Sequence, residues 1–313
     1  MRWGVQRFRR HPPHSPAARA PPSPPWRAER GELQEAASAC VRGAAEIRFA
    51  RRDGTTRLSH LYERDPLRVL FPKPEGGEPP QAVIVTTSGG LVAGDRIDVT
   101  VTIGDGASAH VTASAAEKIY RSTGVTTVVR QALTVGDGAA LEFLPPETIL
   151  FDGARLKRES VIELAPDATF LGGDIVVFGR RARGERFTRG FLRDVWEVRC
   201  EGCLVWGDAL HLDGDIAAIV ADPACFDGAA GFATLMLAPA ERDPEKFVDG
   251  ARAVQAAAPE GVRAGVTAIA GLVLARWLAT DAALLRHAYA DLACHLRCEA
   301  MGLPRRLPRI WHV

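Results

Sequence analysis

Long apolar runs are missing from this chain, and so is an export signal. The most apolar stretch, VTAIAGLVLARWLA from Val266 to Ala279, carries Arg276 in its interior and falls short of the roughly 20 residues a membrane span needs. The first 28 residues contain arginine and proline but no acid, and no apolar core of the kind a signal peptide requires. These absences lead to the expectation of a cytoplasmic protein without a membrane partner. Charge of one sign is missing as well. The 39 basic side chains are nearly cancelled by 38 acidic ones, which leaves +1, so no overall field draws the chain to nucleic acid. Six cysteines in 313 residues do not make a disulfide scaffold. Signature motifs are absent too: no G-x-x-x-x-G-K-[ST], no H-E-x-x-H and no G-x-S-x-G. The eight histidines are scattered, and no two have zinc-site spacing.

What is present is β texture. From Cys40 to about Ile219 the hydrophobic period is two, in short runs divided by Gly, Asp and Pro. Examples are RIDVTVTIGDG, VTTVVRQALTVGDGAALEFLPP and LKRESVIELAPDATFLGGDIVVFGR. Nothing between them is long or periodic enough for a crossover helix. The expectation is a mainly β domain over residues 41–313, wound helically or as a sandwich. The turns Gly104-Asp105-Gly106 and Gly136-Asp137-Gly138 hint at a winding unit, though two copies do not make a repeat. Residues 1–40, rich in Arg and Pro, are expected to be a disordered extension.

Toward the carboxyl end the pattern turns helical. DAALLRHAYADLACHLRCEAM, Asp281–Met301, sets Leu284, Leu285, Ala288, Leu292 and Leu296 on one stripe. AIAGLVLARWLAT before it reads as a second helix candidate, and Pro304 and Pro308 stop any helix beyond. Cys200-Glu201-Gly202-Cys203 fits a hairpin turn between two strands, and a redox or metal role for the pair is the other reading.

Chemistry-bearing residues gather at strand ends and turns. In TASAAEKIYRS, Glu117 and Lys118 are neighbours on an extended segment and must face opposite sides. Tyr120 and Arg121 follow. FLPPETILFDGA offers Glu147 and Asp152. GRRARGERFTRG packs Arg180, Arg181, Arg183, Arg186 and Arg189 around Glu185. Arginine's planar fork suits carboxylates at a protein interface, and no cradle of backbone amides for a phosphate accompanies it. Residue types and missing motifs together favour a binding protein over an enzyme. The enzyme alternative is a β-rich protein using Glu147, Asp152 or Glu185 as paired carboxylates on a small or polymeric acidic substrate. A third reading joins the Cys200/Cys203 pair and the carboxy-terminal cysteines in a zinc site.

Taken together, GGLVAGDRI, TASAAEKIYRS, LEFLPPETILFDGA, GRRARGERF and the terminal PRIW resemble, in order and spacing, the urease accessory protein UreD (UreH) family, from about Val41 onward. The resemblance implies a helically wound β fold with late helices and a scaffold or chaperone role in nickel insertion rather than catalysis. The implied partners are the urease apoprotein, UreF and, through UreF, the GTPase UreG. It implies no tightly bound cofactor but transient passage of Ni2+ along an internal, water-filled path. The candidate path residues are then Glu117, Glu147, Asp152, Asp174 and Glu185, whose oxygens would hold the ion weakly enough to release it. Asp95, Lys118, Tyr120, Arg121, Arg180, Arg183 and Arg186 become interface or structural residues.

Overall fold

A computed structural model describes residues 40–312. The expected extension over residues 1–40 therefore lies, Cys40 apart, outside the described residues. The chain opens with an antiparallel pair, β1 (Arg42–Arg52) and β2 (Thr55–Arg64). The short strands β3 (Leu67–Leu70) and β4 (Gln81–Thr86) follow in a second sheet. From there the chain winds, each coil laying one strand in each sheet. β5 (Arg96–Ile103) leads to β6 (Ser108–Ala113), β8 (Thr127–Val135) to β9 (Ala140–Phe143), and β11 (Arg155–Leu164) to β12 (Thr169–Phe178). Within each sheet these strands run parallel to their counterparts from neighbouring coils. The expectation of a mainly β, wound fold with late helices holds, in solenoid form.

Winding explains the alternation. Residues facing inward stack in register from coil to coil. Val101, Leu133, Ile162 and Val198 form one column, and Ala109, Leu141 and Phe170 another. All seven are at most 1% exposed, and burying each larger one contributes about 1.5–3 kcal/mol. The turns stack too. Asp105 accepts the Asp137 N–H at 3.1 Å, and Asp167 accepts the Gly138 N–H at 2.8 Å. The third copy of the repeated turn is thus Pro166-Asp167, which has lost the glycines that made the first two legible.

The first sheet continues into a long hairpin, β13 (Arg189–Cys200) and β14 (Cys203–Asp215), with Cys200 opposite Cys203 across the Glu201-Gly202 turn. The short helix α1 (Ile216–Ala221) then crosses to β15 (Gly231–Ala238), which pairs with β12. Here the structure corrects one expectation. AIAGLVLARWLAT is not a helix but most of a hairpin, β16 (Val262–Ile269) and β17 (Leu272–Ala279). Its turn, Ala270-Gly271, has φ of 52° and 78°, as a two-residue hairpin turn demands. A short run with several apolar residues in succession, like Leu272–Ala275, reads alike in either state. The buried side of β17 carries Val273, Ala275, Trp277 and Ala279 against helices. Those helices are α2 (Glu245–Ala256), which the sequence pattern did not suggest, and α3 (Ala282–Met301). Asp281 caps α3 through the Ala283 and Leu284 N–H groups, and Gly302 ends it in the left-handed region. Of its expected stripe, Leu285, Ala288, Leu292 and Leu296 are buried and Leu284 is half-buried. Among the described residues no helix is long and apolar enough to cross a membrane.

Candidate functional site

Two short strands organise the site. β7 (Glu117–Ile119) and β10 (Thr148–Leu150) pair in parallel, and β10 pairs with β12. On β7 the opposed facing of neighbours is realised. Lys118 is exposed, whereas the Glu117 side chain enters a cavity of about 90 Å³ between the sheets. Much of the lining is apolar, with Leu91, Ile119, Phe143 and Leu156. The polar exceptions beside Glu117 include Thr86, Gln131, Thr148 and Arg158. Thr86 donates its hydroxyl to Glu117 at 2.6 Å. Burial pushes the Glu117 carboxyl above the ordinary carboxylate range, and the hydrogen bonds from Thr86 and the Lys118 N–H offset only part of that.

Outside this cavity, four of the sequence motifs converge. The Gly90 backbone packs on β7: Leu91 donates its N–H to the Lys118 carbonyl at 2.8 Å, and the Tyr120 hydroxyl donates to the Gly89 carbonyl at 3.1 Å. Gly90 has φ +145°, and a Cβ there would lie 2.8 Å from the Lys118 oxygen, so only glycine fits. The Tyr120 ring meets Phe151 edge-on at 4.8 Å, and the Arg180 guanidinium lies 4.1 Å over the same Phe151 ring. Arg180 also donates to Glu185 at 2.7 Å, which holds the Glu185 carboxyl below its usual range. Asp152 accepts the Thr188 N–H at 2.9 Å, the Thr188 hydroxyl at 2.8 Å and the Arg189 N–H at 3.2 Å. Burial would raise the Asp152 carboxyl, but these donors outweigh it and leave it lowered. Arg121 and Arg189 each stand 3.7 Å from Asp152. Arg183 and Arg186 are exposed beside this cluster.

The other candidate acids lie apart. Glu147 accepts from Arg286 of α3 at 2.8 Å, while its carbonyl receives the Glu117 N–H at 2.8 Å. Asp95 accepts the N–H groups of Val41 at 3.0 Å and Val92 at 2.9 Å, which fixes the starts of β1 and β5. Asp174 sits on the inner face of β12, 2% exposed, against the Arg158 guanidinium. Arg158 also binds Asp194 at 2.9 Å through Nε and the Thr148 hydroxyl at 3.0 Å through Nη1. Glu147, Asp152 and Glu185, the acids of the enzyme alternative, are thus each engaged by their own donors. Among the described residues, no three His, Cys, Asp or Glu side chains converge as a metal site.

Sequence reading missed Arg158 and Asp194, although the signal was there. In RLKRESVIEL and FLRDVWEV the inward positions read Leu156, Arg158, Ser160, Ile162 and Leu192, Asp194, Trp196, Val198. A charge occupies a slot that the period of two reserves for apolar side chains. The two are cross-strand partners in register.

A wound β scaffold with a partly polar interior, under a surface where arginine, tyrosine and carboxylate motifs meet, places this protein among the β-solenoids. The UreD urease accessory protein model matches residues 41–312. Relatives include the "Urease accessory protein UreD" of Magnetococcus marinus, 44% identical over 276 residues, spanning 87% of this chain and 94% of that protein. Another, of the same name, from Methylobacterium sp. strain 4-46, is 45% identical over 261 residues, with 82% and 89% covered. The chain belongs to the UreD urease accessory protein family.

Proposed function

We propose that this chain is the scaffold through which nickel reaches the urease apoprotein. In this reading it binds apo-urease on one side and UreF, with the GTPase UreG behind it, on another, and catalyses no reaction itself. The observation that carries the proposal is Glu117, a carboxylate inside a confined cavity with a hydroxyl, an amide and a guanidinium for company. Oxygen ligands of this kind hold a divalent ion loosely, where a compact thiolate or imidazole set would retain it. Nickel is cargo here, and the protein needs no resident cofactor. Of the candidate path residues, Glu117 and Asp174 suit this role best. Asp152, Glu185 and Glu147 better suit the walls and the surface, where Lys118, Tyr120, Arg121 and Arg180 belong too.

Glu117→Gln tests the path. The carboxyl favours its neutral form in the fold, so the wild-type chain is more stable below the unfolded pKa, near 4.5, and loses that stability as pH rises through the raised folded value. The glutamine variant should fold, melt about 2–4 °C higher at pH 7.5, a shift worth roughly 1 kcal/mol, and lose that pH dependence. Co-expressed with urease and its accessory proteins, it should leave urease short of nickel by metal analysis. A folded Glu117→Gln chain that loads urease fully would end the path role. Charge reversal at exposed Arg183 and Arg186 tests the interface. Arg183→Glu/Arg186→Glu should keep its far-ultraviolet spectrum and weaken one binary complex about tenfold in pull-downs. Wild-type retention in all of them would refute the assignment.

A further inference from the structure

We propose that Arg158 is a gate: its guanidinium occupies, as a built-in counter-ion, a divalent-cation station made by Asp174 and Asp194, and yields it to the passing ion. This rests on the nickel-path reading and adds to it the point where the path closes.

The geometry is specific. Arg158 and Thr148 line the cavity that holds Glu117, whereas Asp174 and Asp194 do not. Both aspartates lie behind the guanidinium, 2% and 3% exposed, and Arg158 itself is 5% exposed. On their far side is a second, open cavity of about 610 Å³. It is lined by Thr234 and Leu210, which are the cross-strand partners of Asp174 and Asp194. The three charges therefore stand between two cavities, at the only charged level of a stack of inward residues on β11 and β13 that is apolar apart from Ser160, among the described residues.

Charge counting says what the station wants. One guanidinium faces two carboxylates, which leaves one negative charge uncompensated in the interior, a costly arrangement. Asp174 illustrates the shortfall. Among the described residues its charged partner is Arg158, whose guanidinium is shared with Asp194. A divalent cation between the two aspartates neutralises them completely. The displaced guanidinium keeps the Thr148 hydroxyl, and Glu117 lies in the same cavity to receive it. Glu117, Asp174 and Asp194 with Arg158 sum to −2 when all are ionised, the complement of one Ni2+. Competition from the guanidinium keeps the resting affinity low, so the ion is passed on rather than stored.

The test is nickel binding by the full-length chain, measured by equilibrium dialysis against Ni2+ with Mg2+ as the comparison ion. Arg158→Lys retains a charge but loses the fork that grips both aspartates. It should fold and bind one Ni2+ at least fivefold more tightly than wild type. Arg158→Met should bind tighter still, with a thermal midpoint that rises on adding Ni2+. Arg158→Met/Asp174→Asn/Asp194→Asn should lose both effects. If a folded Arg158→Lys binds nickel no better than wild type, the gate is wrong. An Arg158→Met chain that stays unfolded even with Ni2+ present, while the triple variant folds, overturns it equally. The path reading fails separately: tighter nickel binding in Arg158→Lys alongside full urease loading by Glu117→Gln would keep the station and discard the delivery role.

Discussion

Arg297→Met is expected to cost more stability than any other single charge removal in this protein, about 3–5 kcal/mol, or roughly 10 °C in thermal midpoint. Arg297 lies on α3 with a fully buried side chain. It binds Glu142 of β9 at 2.7 and 2.9 Å and Glu78 of the β3–β4 loop at 3.0 and 2.6 Å. It also donates to the carbonyls of Pro304, at 2.6 Å, and Arg306. His110 stands 3.3 Å from Glu142 in the same buried network. One guanidinium thereby joins the helix layer, the second sheet, an early loop and the chain's last turn. Removing it strands two carboxylates in the interior. The pH dependence carries a signature. Burial would raise Glu142, but Arg297 and then His110 override that and hold it at about 2. A depressed carboxylate contributes stability that is fully present above its unfolded value of 4.5 and is lost as pH falls toward the folded one. Wild type should therefore lose stability between about pH 5 and pH 2, and Arg297→Met should lose that contribution. Adding Glu78→Gln and Glu142→Gln should restore part of the midpoint, because neutral amides bury more cheaply than unpaired charges. Thermal melts of the three chains across pH check this. A change of under 1 kcal/mol on removing Arg297 would mean that the network is solvated.

How much of this was readable in advance depends on the range of the interaction. The period of two marked the strands, and the GDG turns marked the winding, because both are local. The third turn was legible as the break between two strands at Pro166-Asp167 but not as a copy of the other two, since it supplies the aspartate without the glycines. The hairpin at Ala270-Gly271 escaped because β17 buries Leu272 to Ala275 in succession and is exposed only at Arg276, which leaves little alternation to read. Glu117 was legible as one of two charges that had to face opposite ways. Its cavity was not, because Thr86, Gln131 and Arg158 reach it from three other strands. The Arg297 network joins residues up to 219 apart in sequence, and no spacing rule reaches that far. The wider lesson lies in Arg158 and Asp194. A charged residue at an inward strand position is either an error in the strand register or half of a buried ion pair, and the parallel pairing of β11 with β13 shows the pair.

The second large effect is expected at Gly173, one residue before Asp174. Gly173→Ala should abolish soluble expression or lower the thermal midpoint by more than 10 °C, the signature of a loss beyond about 4 kcal/mol. Both Gly172 and Gly173 lie within β12, a central strand that pairs with β9 on one side and β15 on the other. A Cβ on Gly173 would overlap the Thr234 carbonyl oxygen and come within 2.9 Å of the Leu235 Cα. Both are backbone of β15, which cannot turn aside as a side chain can. β15 would have to move away from β12, taking β17, α3 and the Asp174–Thr234 pair with it. Glycine in a strand interior ordinarily weakens the strand, so its use here reflects the close approach of the two backbones. The control is Gly265→Ala on the edge strand β16, where a Cβ meets nothing within 4 Å. That variant should melt within about 1 °C of wild type or slightly above it, since alanine narrows the unfolded ensemble. If Gly173→Ala behaves like Gly265→Ala, β12 and β15 are further apart than described, and the tight seat of Asp174 against Arg158 goes with them.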